Sequence, residues 1–168
     1  MVCLTWAASY GIDIVRTRGF NHEGPRRDIH GANASFAYQI AMIERGLQDP
    51  VIKVGNLEAT RNFTDIRDMS RAYVMAMEMC TPNELYIIGT DQIYTMKQCL
   101  DHLIAHSTRD DISYEVDPAR LRPTELLYFV ADFTKFKTAT GWKPEYPFDE
   151  TMSSVLDYWR GFIDQKMY

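Results

Sequence analysis

The chain has 168 residues, a hydrophobic share of 46% and a formal net charge of -5. That size and composition give one domain with a real core, or one domain and part of another. The acidic balance argues against a nucleic-acid footprint, so any anion site depends on local arginine placement.

Cys3, Cys80 and Cys99 are scattered and form no C-x-x-C. This predicts reduced thiols in a cytoplasmic protein, and argues against a disulfide scaffold or a zinc site. No signal peptide, membrane-spanning run or internal repeat is seen. The stretch up to Tyr10 reads as a helix, with Leu4, Ala7 and Ala8 on one side and Gly11 closing it. Its start carries no N-cap signal, so the helix looks cut rather than begun. Ile12, Ile14 and Val15 predict a buried strand that breaks at Gly19 into the loop Asn21-His22-Glu23-Gly24-Pro25-Arg26-Arg27. In parallel α/β sheets ligands bind at the carboxyl ends of strands. Two adjacent guanidiniums beside a Gly-Pro turn suit a phosphate-bearing ligand; a solvated surface loop is the alternative.

Asp28 to Asn33 is turn-rich, and Ser35 is expected to cap the next helix, with Phe36, Ile40, Ile43 and Leu47 inward and Gln39, Glu44 and Arg45 outside. Gly46 and Pro50 end it. Val51 to Val54 is a short strand, Gly55-Asn56 a turn, and Leu57 to Phe63 irregular or extended. A helix runs from Asp65 or Asp68 to Cys80 with Met69, Ala72, Tyr73, Ala76, Met77 and Cys80 as its inner stripe, read as core. Asp65, Arg67 and Asp68 read as helix-end contacts and a structural ion pair. Glu84 to Gly89 is a strand after a Pro82-Asn83 turn. Thr95 and Gln98 form a capping box for a helix with Met96, Cys99, Leu100 and Leu103 inward. His102 and His106, four apart on that helix, read as solvated because no third metal ligand is in view. Ile112 to Val116 is a strand, Leu121 to Glu125 a loop, and Phe133 to Thr140 a short helix ended by Gly141. A last helix carries Met152, Val155, Leu156, Trp159 and Ile163 inward. Strands alternating with helices indicate an α/β or α+β fold.

Three separated segments place arginines beside turn residues: Asn21 to Arg27, Gly55 to Arg61, and Leu121 to Glu125. Arg61 and Arg122 suit paired bonds to phosphate, and Glu125 can accept from hydroxyl or N–H groups. There is no Gly-rich nucleotide loop and no recognisable catalytic elbow. His22 and Glu23 point to opposite sides of an extended backbone, so they are no obvious acid–base pair.

In order, F-N-H-E-G-P-R-R, V-G-N-L-E-A-T-R-N-F-T-D-I-R-D-M, L-R-P-T-E and T-G-W-K-P-E resemble the C-terminal half of the GDP-mannose 4,6-dehydratase family, among the extended short-chain dehydrogenases/reductases and the NAD-dependent epimerases/dehydratases. The likeness runs from about Tyr10 to Arg160. The final D-Y-W-R also resembles the sister enzyme, GDP-4-keto-6-deoxymannose reductase. The resemblance implies an α/β fold made of part of a Rossmann lobe and a small substrate-binding lobe. Residues 1–168 are then one substrate-binding C-terminal domain, and the N-terminal Rossmann cofactor domain is absent. It implies that His22 and Arg27 touch NADP, which is held mainly by the absent lobe. It also implies that Asn21, Gly55, Asn56, Arg61, Arg122 and Glu125 hold a GDP-sugar, the two arginines at the diphosphate and Glu125 at the guanosine end. The family's Gly-rich loop, Tyr-x-x-x-Lys pair and active-site Ser/Thr and Glu are missing from this sequence. No catalytic residue is therefore assigned, and this chain alone is expected to be inactive. Asp28-Ile29-His30-Gly31 departs from the family's R-R-G-E.

Three readings follow: the GDP-sugar-binding portion of an NADP-dependent dehydratase (a lyase), or of the sister reductase; a non-catalytic sugar-nucleotide-binding module; or a structural remnant. In the isolated chain the open edges and apolar face left by Ile12–Arg18 predict self-association, as a homo-oligomer or swapped dimer, with no membrane or nucleic-acid partner.

Overall fold

The protein is described by a computed structural model covering residues 2–122, 124 and 126–167. Its architecture is mixed α/β with short parallel sheets. In chain order the elements are α1 (Val2–Tyr10), β1 (Arg16–Gly19), β2 (His22–Glu23), α2 (Ala32–Glu44), β3 (Val51–Val54), β4 (Thr60–Asn62), β5 (Thr64–Asp65) and α3 (Ile66–Met79). Then come β6 (Leu85–Ile88), β7 (Ile93–Thr95), α4 (Met96–Ala105), β8 (Ser113–Val116), a 3-10 turn (Pro118–Arg120), β9 (Tyr128–Phe129), α5 (Thr134–Thr140) and α6 (Phe148–Lys166). β1 pairs with β6, β2 with β5 and β3 with β8, all parallel, while β4 lies between antiparallel β7 and parallel β9. Among the described residues no helix is long and apolar enough to cross a membrane.

Two cores hold these pieces. The larger gathers α2, β3, α4 and α6 around Ile40, Ile52, Leu100, Leu103, Met152 and Leu156, all buried. The smaller joins α3, β6 and α5 through Met69, Ala72, Ile88, Phe136 and Trp142. Trp142 is fully buried and its Nε1–H donates to the Gly89 carbonyl at 2.8 Å, so the indole pays no unpaired-donor penalty. The expected inner stripes of α4 and α6 are buried throughout, and the Thr95–Gln98 capping box is formed in both directions.

Several sequence expectations are corrected. The first strand, expected from Ile12 to a break at Gly19, is Arg16–Gly19, and Ile12, Ile14 and Val15 lie outside it, because the ladder with Leu85–Ile88 sets the strand rather than β-branching. Ser35 does not cap α2. The cap position is Gly31 and has no side-chain bond; Ser35 lies inside the helix, buried, and accepts from Arg120 Nη1 at 3.0 Å. Gln39 and Glu44 are not on the outside. Gln39 accepts from Lys53 N at 2.8 Å and donates to Lys53 O at 3.1 Å, so its amide serves β3 as a second ladder partner. Leu47, Tyr73 and Met77 are exposed rather than inward. His102 and His106 are not merely solvated, since each contacts Asp149 Oδ1 at the start of α6, at 3.1 and 3.0 Å. Among the described residues no cluster suits a metal.

Asp65 is the junction that positions the site. It caps α3 by accepting from Arg67 N at 2.8 Å, takes two bonds from the Arg67 guanidinium and accepts from Thr151 Oγ1 on α6. Burial opposes its charge, but the Arg67 bonds overcome that opposition and hold its pKa below the usual carboxylate range. Asp68, one turn on, is fully buried and accepts from Glu145 N and Tyr146 N, which fixes the chain leading into α6.

A Cβ on Gly24 would stand 2.4 Å from Ile66 Cγ2, a β-branched side chain at the first position of α3. Gly24→Ala is therefore expected to cost about 1–3 kcal/mol in chemical denaturation. Glu44, whose side chain is only 3% exposed, accepts from Arg160, Ser107 Oγ and Thr108 N. Burial works against its charge, yet Arg160 and the other donors prevail and lower its pKa from 4.5 to about 2. The folded value lies below the unfolded one, so its contribution is present above pH 4.5 and is lost as pH falls towards about 2. Glu44→Gln should lose about 2–3 kcal/mol at neutral pH and flatten the stability profile across that acid window.

Candidate functional site

A cleft of about 1520 Å³ opens between the loop that follows β2, the start of α2, and the turns after β3 and β8. Its first wall descends from the β2–β5 pairing. His22 pairs with Thr64 and Glu23 with Asp65, and Thr64 N donates to Asn21 O at 3.0 Å. Successive side chains of a strand face opposite ways. His22 is therefore half-buried while Glu23 turns inward and is 5% exposed. His22 Nδ1 sits 3.0 Å from the Phe20 carbonyl. A carbonyl only accepts, so Nδ1 carries the proton and Nε2 is left for a ligand.

Beyond Glu23 the chain turns tightly, with Arg27 N donating to Gly24 O at 3.4 Å. Pro25 and Arg26 are the central residues of this turn. Arg26 has φ 69°, in the left-handed region that costs a non-glycine residue about 1 kcal/mol or more. This strain falls at the cleft wall and leaves Arg26 and Arg27 exposed there.

The opposite wall begins at Gly55. A Cβ there would lie 2.8 Å from the Arg120 carbonyl, so the β3 turn and the turn after β8 touch backbone to backbone. Asn56 Oδ1 accepts from Glu58 N at 2.9 Å, closing an Asx turn. Arg61 on β4 donates from Nη1 to Thr60 O at 2.7 Å, and its guanidinium lies 6.0 Å from the Phe129 ring centre. Arg122 is exposed at the cleft and has no ion pair among the described residues.

All of Asn21, His22, Arg27, Gly55, Asn56, Arg61 and Arg122, drawn from three separated segments, line this one cleft. Glu125 lies outside the described residues. Sequence reasoning missed three lining residues. Arg120 donates to Ser35 and stands 3.5 Å from Asp117 Oδ2, and its spacing two before Arg122 was the available signal. Glu23, which the extended backbone turns away from His22, gives no sequence signal of its own. Its burial, the largest influence, pushes its pKa up to about 7 against the opposing pull of Arg27 and Asn33. Asn33, 1% exposed, carries only a turn signal in the sequence. The cleft thus presents five arginines, an imidazole with a set tautomer, and a carboxyl that is half neutral near pH 7.

Comparison with known proteins identifies the family to which this fold belongs. A family model described as GDP-mannose 4,6 dehydratase matches residues 1–155. Among curated relatives, GDP-6-deoxy-D-mannose reductase of Pseudomonas aeruginosa is 27% identical over 98% of this chain and 54% of its own length. GDP-mannose 4,6 dehydratase 1 of Arabidopsis thaliana is 27% identical over 92% of this chain and 42% of its own. The chain therefore spans about half the length of these relatives. Among solved structures, that of RMD from Pseudomonas aeruginosa complexed with NADPH superposes with a TM-score of 0.88 at 26% identity, over 96% of this chain and 53% of that one. UDP-glucose 4-epimerase of Thermotoga maritima with UDP-glucose gives 0.80 at 26% identity, over 97% and 51%. The family match extends over most of the sequence and over both walls of the cleft, and the chain belongs to the GDP-mannose 4,6-dehydratase family.

Proposed function

We propose that this chain is the GDP-sugar-binding portion of an NADP-dependent GDP-mannose 4,6-dehydratase. The observation that carries the reading is the convergence of Asn21, Arg61 and Arg122 from three separated segments on one cleft. Arg61 and Arg122 take the diphosphate, where planar guanidiniums match phosphate oxygens. The Gly55–Asn56 turn lies beside the nucleotide, Asn21 contacts the sugar-nucleotide, and Glu125 serves the guanosine end. His22 and Arg27 face the nicotinamide cofactor. The residues fit that group: His22 offers Nε2 because Nδ1 is engaged by Phe20 O, and Arg27 is exposed beside it. A nicotinamide cofactor would supply hydride acceptance or donation. This chain's own residues bind and orient; the Tyr-x-x-x-Lys pair that manages the proton at the sugar is not in its sequence.

The sister activity, reduction of the 4-keto-6-deoxy sugar, is the second reading. It is favoured by the TM-score of 0.88 to RMD in its NADPH complex and by coverage of 98% of the chain by the Pseudomonas reductase.

Self-association belongs to the same proposal. β1 is paired only with β6 among the described residues, and Tyr73, Val74 and Met77 are exposed on α3. Light scattering across a concentration series should report a dimer or larger species, and a sharp monomer peak throughout would overturn it.

Calorimetric titration tests the ligand. GDP-mannose should bind saturably and UDP-glucose should not. Arg61→Ala and Arg122→Ala should each weaken GDP-mannose about ten-fold or more, the usual loss for a charged hydrogen-bonding partner. Equal binding of both sugar nucleotides, or arginine variants indistinguishable from wild type, would sink the reading.

A further inference from the structure

The phosphate contacts leave one part of the cleft without a role. Glu23 is 5% exposed and Asn33 1% exposed. Glu23 Oε2, Asn33 Oδ1, Asn33 Nδ2 and Asn21 Nδ2 are buried and meet no hydrogen-bond partner among the described residues. All three residues line the cleft. Buried polar atoms in folded proteins are nearly always paired, and each unpaired one is a standing cost. Four on one patch of cleft wall are not what packing selects; they are what a binding surface needs. Asn33 stands close enough to Glu23 to ease its charge, yet not in hydrogen-bonding geometry, and Arg27 acts on it from the loop. From α4, the buried Cys99 thiol feels the Glu23 carboxylate.

The four atoms comprise two acceptors and two donors. A phosphate, which only accepts, would be repelled by Glu23 Oε2 and Asn33 Oδ1. An apolar group would leave all four unpaired. A hydroxyl both donates and accepts, and a ring bearing several hydroxyls matches the mixed set. The arginines of the cleft select charge; this patch cannot.

We infer that Glu23, Asn33 and Asn21 form a subsite that reads the hydroxyl groups of the hexose in a bound sugar nucleotide. The inference rests on the sugar-nucleotide reading above and adds the residues that distinguish a nucleotide sugar from the bare nucleotide. Glu23 and Asn33 act by binding and perform no chemical step.

The test compares GDP-mannose with GDP by calorimetry at pH 8, in wild type, Glu23→Gln, Asn33→Ala and Arg61→Ala. Glu23→Gln and Asn33→Ala should each weaken GDP-mannose about ten-fold and leave GDP unchanged, while Arg61→Ala weakens both. Equal losses for the two ligands, or no loss for either, would overturn the hexose subsite and leave the diphosphate reading standing. Failure of wild type to bind either ligand overturns the sugar-nucleotide reading itself, and the subsite falls with it. Thermal melting without ligand supplies a second readout. Residues held unpaired for a ligand trade stability for binding, so Glu23→Gln should raise the melting temperature at pH 8 by about 3 °C. A fall instead would mean that Glu23 is a structural carboxyl and would overturn the subsite.

Discussion

A parallel ladder of only two residue pairs, His22 with Thr64 and Glu23 with Asp65, is the constraint on which the cleft depends. So short a ladder has little stability of its own. It is held because Asp65 is engaged by Arg67, by the α3 backbone and by Thr151 of α6, so that one strand end is fixed to two helices. Gly24 then lets the loop pass against Ile66 at a distance no side chain would permit. The alternation of the two-residue strand does the rest. It leaves the imidazole half-exposed and sets the carboxyl deep in the cleft wall, and a slip of one residue would exchange them. The chemistry of the first wall is therefore decided by the α3 N-terminus, more than forty residues away in sequence.

The second wall obeys a different logic. Its backbone segments touch directly, Gly55 against the carbonyl of Arg120, and its arginines are held by a carbonyl, a hydroxyl and one exposed ion pair to Asp117. Arg61 spends one nitrogen on Thr60 O, and Arg120 spends one on Ser35. By contrast, Arg67 and Arg160 are locked by buried carboxylates and serve the framework. Arg61 bonds to a carbonyl and keeps its charge uncompensated, while Arg120 shares its charge with Asp117 at 3.5 Å on the surface. This separates the guanidiniums available to an anion from those that staple helices.

How much of this was legible in the sequence depended on how far away the deciding partner lay. The Thr95–Gln98 box, the apolar stripes of α4 and α6 and the end of α5 at Gly141 are local, and the structure forms each as read. The Arg-bearing segments could be picked out by residue type, but their convergence needed the fold. Several of the errors are cases in which a distant contact overrode a local rule. Ile12, Ile14 and Val15 have the stronger β propensity, yet the ladder with β6 falls on Arg16–Gly19. Ser35 has cap chemistry, but Arg120, 85 positions on, occupies its hydroxyl. Glu44 has the spacing of an outer helix position and is buried because Arg160 reaches it from α6. Asn33 and Glu23 gave no signal, since an amide and a carboxyl in a turn-rich loop are ordinary; only their burial without partners sets them apart.

Net charge and local charge point in opposite directions, and the resolution lies in where the carboxylates are. The chain is acidic by five charges. Two buried carboxylates on the framework side, Asp65 and Glu44, are kept ionised against their burial by arginines that also offset their charge. On the ligand side the one buried carboxyl, Glu23, has its pKa pushed up to about 7 because burial outweighs Arg27 and Asn33. A full negative charge at that point would weaken the attraction of Arg26, Arg27, Arg61, Arg120 and Arg122 for a diphosphate. Burial thus moderates the charge of the one buried acid among them; with Lys53, the basic side chains that line the cleft outnumber Glu23, Asp28, Asp49 and Glu115, so it stays electropositive within an acidic protein.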